Sequence, residues 1–210
     1  MLIKDIYKKY LLPRNLQEHM LRVAALSEII LDDWKDGCAD AHAITTTCLF
    51  HDIAKPLTFE AEKQAAYGAT PEEIRDIKKF QKNIGELYGH DEHQATLSIM
   101  REEGAEDRAI DIMRAFKWSD MHDLVEKKNT SALIVLYCDM RIGPHGILPM
   151  RERLENLKSR YTAYMDHETF LRCGLEVEKL IKSHISTDVE SITEVAIAER
   201  FSSLFERSVG

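Results

Sequence analysis

Apolar residues recur along this chain at helical spacing, in segments that Gly and Pro residues separate. The first long segment covers residues 15–34, and Asn15 is expected to cap its start. Its apolar positions fall on one stripe: Leu16, Val23, Leu26 and Ile30. A shorter helix is predicted before it, over residues 4–10. Because the alternation that is typical of half-buried strands does not organise the chain, the pattern predicts an all-α protein.

Later segments carry further helix signals. Thr70-Pro71-Glu72-Glu73 combines an N-cap threonine, a proline at N1 and a glutamate at N3, and predicts a helix that ends at Gly89. The apolar run Ala132–Met140 fits a helix or a buried strand. We favour a helix, capped by Thr130 or Ser131, because the rest of the chain has helical periodicity. Other helices are expected over residues 43–53, 90–104, 107–118, 119–126, 150–164, 168–183 and 190–207, with a loop or loose helix over 57–68.

Length and composition favour one globular domain. The chain has 210 residues, of which 44% are hydrophobic and 30% are charged, enough for one sizeable core. We expect a single domain over residues 1–210, with its core motifs within about 15–162 and a C-terminal helical extension over about 163–210. A formal net charge of −8, without a basic stripe, argues against a nucleic-acid-binding module.

Cysteine usage and hydropathy bear on the cellular compartment. The four cysteines are scattered without a CxxC pair, so no disulfide framework is expected: Cys38, Cys48, Cys138 and Cys173. Residues 1–12 lack the apolar core of a signal peptide, and no apolar run approaches the length of a membrane span. These features predict a soluble, cytoplasmic protein that does not enter a membrane.

The segment Cys48–Pro56 carries the main candidate chemistry. His51 and Asp52 follow an apolar run and should lie in the last turn of the helix predicted over 43–53, where the helix dipole favours a bound cation. An isolated His-Asp pair is more often a helix end with a surface charge pair. Two further polar residues lie on apolar helical sequence, however: His19 on the first stripe and Asp139 at the end of its run. A buried carboxylate is rare unless it is paired or binds a metal.

This order of His, His-Asp and Asp resembles the HD-domain superfamily of metal-dependent phosphohydrolases. Residues 49–56, read as LFHDIAKP, are similar to the family's LLHDIGKP segment, and residues 88–92, read as YGHDE, resemble its GHEE segment. Residues 137–141, read as YCDMR, resemble the closing YADxR motif, and residues 151–161 resemble the helix that follows it. The resemblance covers about residues 15–162 and implies an HD-domain helical bundle.

The resemblance implies that His19, His51, Asp52 and Asp139 are metal ligands. Two imidazoles and two carboxylates suit a borderline divalent ion, namely Mn, Fe, Co, Ni or Zn. Such an ion lowers the pKa of bound water and generates a hydroxide nucleophile at neutral pH. The implied function is hydrolysis of a small phosphorylated substrate by this metal-activated hydroxide, with Asp52 in a catalytic role besides its place among the ligands.

Further residues are assigned by the same resemblance. Lys55 is either a catalytic, substrate-binding contact to phosphate or a solvated residue at a helix end. Arg141 is the second expected substrate-binding cation, and His90 is expected to lie close to the substrate phosphate. Two-metal branches of the family carry another histidine near residues 114–117, which this chain lacks. A single-metal site is therefore the leading interpretation, and a second metal bound by His90, His93 or His122 stays open. The remaining histidines are expected to lie away from the site: His42, His145, His167 and His184.

Two functions from different classes compete. The first is a phosphohydrolase acting on a small phosphorylated molecule, with a nucleotide as the leading candidate; the sequence does not separate a phosphomonoesterase from a pyrophosphatase or a phosphodiesterase. The second is a regulatory or scaffold HD domain without turnover, which retention of all four implied ligands disfavours. The last amphipathic helices either cover the core or pair subunits in a homo-oligomer.

Overall fold

The computed structural model describes residues 1–35, 40–144, 146–161 and 165–209. This part of the chain is all-α, as predicted, apart from one small hairpin. Its α-helices are α1 (Ile3–Lys9), α2 (Arg14–Asp32), α3 (Ala41–Phe50), α4 (Pro71–Tyr88), α5 (Glu92–Glu102), α6 (Asp107–Ala115), α7 (Met121–Glu126), α8 (Thr130–Arg141), α9 (Met150–Tyr161), α10 (His167–His184), α11 (Glu194–Ala198) and α12 (Phe201–Phe205). Short 3-10 helices cover Lys55–Thr58, Ala61–Tyr67, Trp118–Asp120 and Val189–Ser191.

Helices α2, α3 and α8 form the centre of the bundle. Helix α3 packs against α2, α6 and α8, and α8 also packs against α2, α9 and α10. Every residue of α8 from Ser131 to Arg141 is buried, and so is every residue of α3 from Ala43 to Phe50. A helix that neighbours surround on all sides needs no polar face. This explains why the apolar run of α8 showed no clear helical period, although the helix that we favoured there is confirmed.

Side-chain caps set several helix starts. The capping box of α4 is present as predicted, because Thr70 accepts from the Glu73 amide while the Glu73 carboxylate accepts from the Thr70 amide. Two other predicted caps are wrong. Asn129, rather than Thr130 or Ser131, caps α8 by accepting from the Ala132 amide. Asn15 is the second residue of α2, and the N-cap of that helix is Pro13, which has an extended backbone conformation.

The single helix predicted over residues 190–207 is wrong. The chain instead forms the 3-10 turn Val189–Ser191 and then α11 and α12. Thr193 starts α11 by accepting a hydrogen bond from the Ala196 amide, which interrupts the helical course. With the segment divided in this way, Ile197 of α11 and Leu204 of α12 are both fully buried. Both α11 and α12 pack against α2, so the last helices cover the core.

The ends of the described chain meet. Leu2 and Ser208 form an antiparallel bridge, and the Val209 amide donates to the Met1 carbonyl over 3.1 Å. A second small pairing joins β1 (Ile142–Gly143) to β2 (Gly146–Ile147), directly after α8. These two short strands were not predicted from the sequence.

Three cysteines are described, and all are buried free thiols: Cys48, Cys138 and Cys173. The expectation of no disulfide framework therefore holds for them, while Cys38, His145 and residues 162–164 of the helix predicted over 150–164 lie outside the described residues. Among the described helices, none combines the length and apolar character that crossing a bilayer requires.

Candidate metal centre

The end of α3 delivers His51 and Asp52. The helix ends at Phe50, and His51 is its C-cap with a fully buried side chain. His51 Nδ1 lies 2.7 Å from the Cys48 carbonyl oxygen. Because a carbonyl oxygen only accepts, Nδ1 carries a proton, and in the neutral imidazole the lone pair of Nε2 is left for a metal ion. Metal-binding histidines are usually oriented by a hydrogen bond of this kind.

Helices α2 and α8 supply the other two side chains. His19 projects from the second turn of α2, and its side chain is 22% exposed. Asp139 lies in the last turn of the buried helix α8, and its side chain is 12% exposed. The two oxygens of Asp139 have separate partners: Oδ1 faces His19, and Oδ2 accepts a hydrogen bond from Trp118 Nε1 over 2.9 Å.

The donor atoms converge at distances that fit one ion. His19 Nε2 lies 3.3 Å from His51 Nε2 and 3.1 Å from Asp139 Oδ1, and the latter two atoms are 3.6 Å apart. Two ligands that each lie about 2.1 Å from an ion are about 3.0 Å apart at a right angle and about 3.4 Å apart at a tetrahedral angle. Asp52 Oδ2 lies 3.9 Å from both Nε2 atoms. The tight group is therefore His19, His51 and Asp139, with Asp52 at its edge.

The charges of the site attract a cation. Burial lowers the pKa of His51, but the carboxylates of Asp52 and Asp139 outweigh it and raise that pKa to about 9. Burial would raise the pKa of Asp139, yet His51 and His19 hold it well below its usual value. Positive charge is thus stabilised where the four side chains meet. A divalent ion satisfies the same preference, and the donor set suits it.

The four side chains lie on the wall of a cavity of about 1300 Å³. Its lining includes three aromatic residues: Phe59, Phe116 and Trp118. It also includes four cationic residues: Arg22, Lys55, Lys117 and Arg153. Phe116 packs its ring edge-on to His51, with centroids 6.1 Å apart. The cavity is large enough for a drug-sized or nucleotide-sized molecule.

The sequence model of the HD domain family matches residues 16–139, more than half of the chain. The chain belongs to the HD-domain family. HD domains bind divalent metals, and the group formed by His19, His51 and Asp139 could hold one. The match begins in α2 and ends at Asp139, so it includes all four implied ligands. Searches of curated proteins and of solved structures found no match.

Lys55 reaches the cavity of this HD domain. Its Nζ lies 3.1 Å from Glu92 Oε1, and Glu92 also accepts a hydrogen bond from Thr58. Burial lowers the pKa of Lys55, but Asp52 and Glu92 outweigh it, and the net shift is upward. Lys55 is therefore a charged group held beside the metal centre.

The three histidines considered for phosphate or for a second metal lie in different surroundings. His90 is exposed and packs over Gly85 of α4, where even a Cβ atom would lie 2.6 Å from the imidazole ring. The cavity is lined by Asp91, Glu92 and His93 instead, so the expected place of His90 is not met. His122 lies on α7, 3.6 Å from Glu126, and its side chain is 41% exposed; it is not a cavity-lining residue of the described chain.

Arg141 was expected to contact substrate, but it does not line the cavity. Its guanidinium is buried and donates to the Leu148 carbonyl over 2.5 Å, the Tyr137 hydroxyl over 2.6 Å and the Val189 carbonyl over 3.2 Å. These contacts join α8 to the segment after the hairpin and to the C-terminal region. The structure therefore places this cation in the core of the HD domain.

The other histidines that the structure describes lie away from the centre, as expected. His42 is exposed near Glu106, and His167 is near Glu155. His184 is half-buried and stacks on Trp34, with ring centroids 4.6 Å apart.

Sequence reasoning missed three residues near the centre of the HD domain. Arg22 lines the cavity, and its Nε donates to Glu194 over 2.5 Å. It follows His19 by three residues, so helical spacing alone places it on the same face. Lys117 and Trp118 also line the cavity, but they lie in the link between α6 and α7, whose only regular structure is a short 3-10 turn. No periodic pattern identifies residues in such a link.

Proposed function

We propose that this HD-domain protein is a metal-dependent phosphohydrolase that cleaves a phosphate ester or anhydride bond of a small molecule, with nucleotides as the leading substrate class. One observation carries the proposal. Two imidazole nitrogens and a carboxylate oxygen lie within 3.6 Å of one another on the wall of a cavity of about 1300 Å³. With Asp52 beside them, the donors suit Mn, Fe, Co, Ni or Zn.

The metal-binding residues and Lys55 have separate roles in the proposed reaction. His19, His51, Asp139 and Asp52 hold the ion. When bound, the ion supplies Lewis acidity and water whose pKa falls toward about 7. Lys55 stays charged at neutral pH and is held by Glu92, so it is the cation that we assign to the substrate phosphate. The charge of Lys55 then offsets the negative charge that grows on the phosphoryl oxygens.

The cavity lining supports a nucleotide as substrate. Its volume exceeds what a phosphate group requires, and ligand pockets of about 300–1,000 Å³ already enclose drug-sized molecules. Phe59 contributes a partly buried aromatic ring on which a base can stack. Lys117 and Arg22 add positive charge at positions distinct from Lys55, which suits a substrate with more than one anionic group.

The test is a metal-resolved substrate screen. The protein is stripped with a chelator, reloaded separately with Mn, Fe, Co, Ni, Zn or Mg, and assayed on nucleoside mono-, di- and triphosphates, cyclic nucleotides and sugar phosphates. We expect phosphate or nucleotide release that the chelator abolishes. Asp52→Ala should lose bound metal and turnover together, because it removes a charged group next to both imidazoles.

A matched pair of variants controls for histidine loss as such. His19→Ala removes a central donor, whereas His42→Ala removes an exposed imidazole that does not line the cavity. Elemental analysis should find the metal missing in the first variant and retained in the second. Wild-type protein that holds the ion but turns over no phosphorylated compound would contradict the proposal and favour a regulatory HD domain.

A further inference from the structure

Trp118 connects the metal centre with the C-terminal helices. It begins the 3-10 turn between α6 and α7, and its indole Nε1–H donates to Asp139 Oδ2 over 2.9 Å. Its ring stacks on Phe170 of α10, with centroids 6.4 Å apart and an angle of 28° between the planes. Trp118 has no role in the proposed reaction as described above.

The indole determines which oxygen of Asp139 faces the histidines. The terminal torsion of an aspartate is broad, so an unrestrained carboxylate presents either oxygen or both. With Oδ2 held by the indole, Oδ1 is the atom that lies 3.1 Å from His19 Nε2 and 3.6 Å from His51 Nε2. An indole N–H only donates, so it holds the carboxylate without competing for the ion.

The surroundings favour a lasting contact. The Asp139 side chain is only 12% exposed, which leaves little room for water to replace the indole. The stacking contact with Phe170 also restrains the Trp118 ring, because Phe170 belongs to a helix of 18 residues whose inner face is buried against the bundle. Phe170 itself is 2% exposed. The orientation of Asp139 therefore depends on a chain of contacts that begins in α10.

We infer that Trp118 is a positioning residue, which holds Asp139 so that a single carboxylate oxygen is offered to the ion and metal binding is strengthened. This inference rests on the metal centre of the proposed function. Loss of an outer hydrogen bond to a metal ligand typically weakens metal affinity about 10- to 100-fold. Because Phe170 stacks on Trp118 and lies beyond residue 139, where the family match ends, this support would come from outside the matched segment.

The test measures metal binding rather than turnover. The chain has two tryptophans, so Trp34→Phe leaves Trp118 as the only one. Trp34 stacks on His184 and does not line the cavity, which makes this variant the matched control. In Trp34→Phe, Mn²⁺ should quench the remaining fluorescence, because a paramagnetic ion then lies next to the indole. Calorimetric titration with Mn²⁺ should give the same affinity as for the wild type.

Trp118→Phe keeps an aromatic ring against Phe170 but removes the N–H. We expect its Mn²⁺ dissociation constant to rise about 10- to 100-fold, and the visible spectrum of its Co²⁺ form to change as Asp139 reorients. The melting temperature of the metal-free variant should stay close to that of the metal-free wild type. The rise in melting temperature that Mn²⁺ produces should be much smaller in the variant than in the wild type. Phe170→Leu, which leaves the N–H in place but removes the stacked ring, should weaken binding by a smaller factor.

The outcomes separate this inference from the proposed function. Unchanged Mn²⁺ affinity in Trp118→Phe, with affinity lost in His19→Ala, overturns the role of Trp118 and leaves the metal centre intact. Wild-type protein that binds no Mn²⁺ or Co²⁺ at all overturns both. Weaker binding that merely follows a lower melting temperature of metal-free Trp118→Phe assigns the indole to the core and also overturns the inference.

Discussion

Lys55 and Arg141 are both cations close in sequence to metal ligands, but their surroundings differ. Lys55 lies at the cavity, and its side chain is 41% exposed. Arg141 is 2% exposed, and the Tyr137 ring also lies beneath its guanidinium, 5.6 Å from the charged carbon. The sequence made Arg141 an expected substrate contact and Lys55 either a substrate contact or a solvated residue, because each lies within a motif that contains an implied metal ligand. Only the direction of the two side chains, which tertiary packing decides, separates their roles.

Replacement of Lys55 by alanine should impair catalysis while leaving the metal in place. If its ammonium stabilises charge on the transferred phosphoryl group, kcat/KM should fall by about 2 to 4 kcal/mol, or about 30- to 900-fold. Steady-state kinetics and elemental analysis of Lys55→Ala measure the two effects. Lys63→Ala, at an exposed ion pair with Glu60, is the control. Equal activity of both variants would remove Lys55 from the site.

Replacement of Arg141 should instead reduce stability. Arg141→Met leaves the Leu148 and Val189 carbonyls without this donor, and hydrogen bonds to charged groups contribute about 1.5 to 3 kcal/mol each. We expect the free energy of unfolding in urea to fall by about 2 to 4 kcal/mol. Arg14→Met, at a side chain that is 86% exposed, should change it by less than about 0.5 kcal/mol. A stable Arg141→Met protein with a raised KM would instead indicate a substrate contact.

His90 shows where the family resemblance misplaced a residue. The resemblance to the GHEE segment put His90 close to the substrate phosphate, in a helix predicted over residues 90–104. The N-cap of α5 is instead Asp91, whose side chain accepts from the Gln94 amide. His90 therefore precedes the helix, whereas His93 is inside the helix and lines the cavity. The sequence identified the helix start to within two residues, but a motif match does not determine where a side chain beside that start points.

Among the elements, the helices with strong local signals were predicted best. The capping box and the following glycine define both ends of α4 without help from the rest of the chain. The C-terminal segment lacks such signals: its interruptions at Thr193 and Arg200 involve no glycine or proline. Arg200 forms an ion pair of 2.8 Å with Asp32 at the end of α2, a contact that sequence order does not reveal.

Asp40 joins three helices and gives a pH-dependent prediction. It precedes α3 and accepts hydrogen bonds from Arg108 Nε in α6 over 2.9 Å and from Ser131 Oγ in α8 over 2.5 Å. These hydrogen bonds, those from Arg108 first, lower the pKa of Asp40 from 3.8 to about 2. Because the pKa is lower in the folded protein, the stabilisation is complete above about pH 4 and is lost as the pH falls toward 2.

Asp40→Ala should therefore destabilise the protein by about 1 to 2 kcal/mol at pH 7, a value that allows for the half-exposed Arg108. The difference from the wild type should shrink as the pH is lowered from 4 to 2. Urea unfolding at a series of pH values measures it, and Asp123→Ala, at an exposed pair with Lys127, is the control. A difference that stays constant down to pH 2 would show that the ionised carboxylate is not the cause.

At the scale of the whole molecule, the residues that meet at the candidate centre were predictable, and the contacts that support them were not. His51, Asp52 and Asp139 lie in short motifs beside apolar helical sequence, and His19 lies on an apolar stripe, so each position can be read locally. Trp118 is 21 residues from Asp139 in sequence and lies in a link without periodicity, and Phe170 is farther still. Contacts of this kind arise only when α10 packs beside α7, α8 and α9. Local sequence thus indicates the candidate ligands, while packing determines how their side chains are held.

The bridge between Leu2 and Ser208 also has a consequence for the order of events during synthesis. The inner residues of α1 are fully buried, and Tyr7 packs edge-on to Phe205, with centroids 6.2 Å apart. At about 5 to 20 residues per second, α1 leaves the ribosome about 10 to 40 s before α12 does. During that interval the Tyr7 hydroxyl can donate its hydrogen bond to the Leu49 carbonyl of α3, but Phe205 has not yet been made and cannot cover the Tyr7 ring. Helix α1 is therefore made well before α12 can enclose it, and chaperones have that time to bind it.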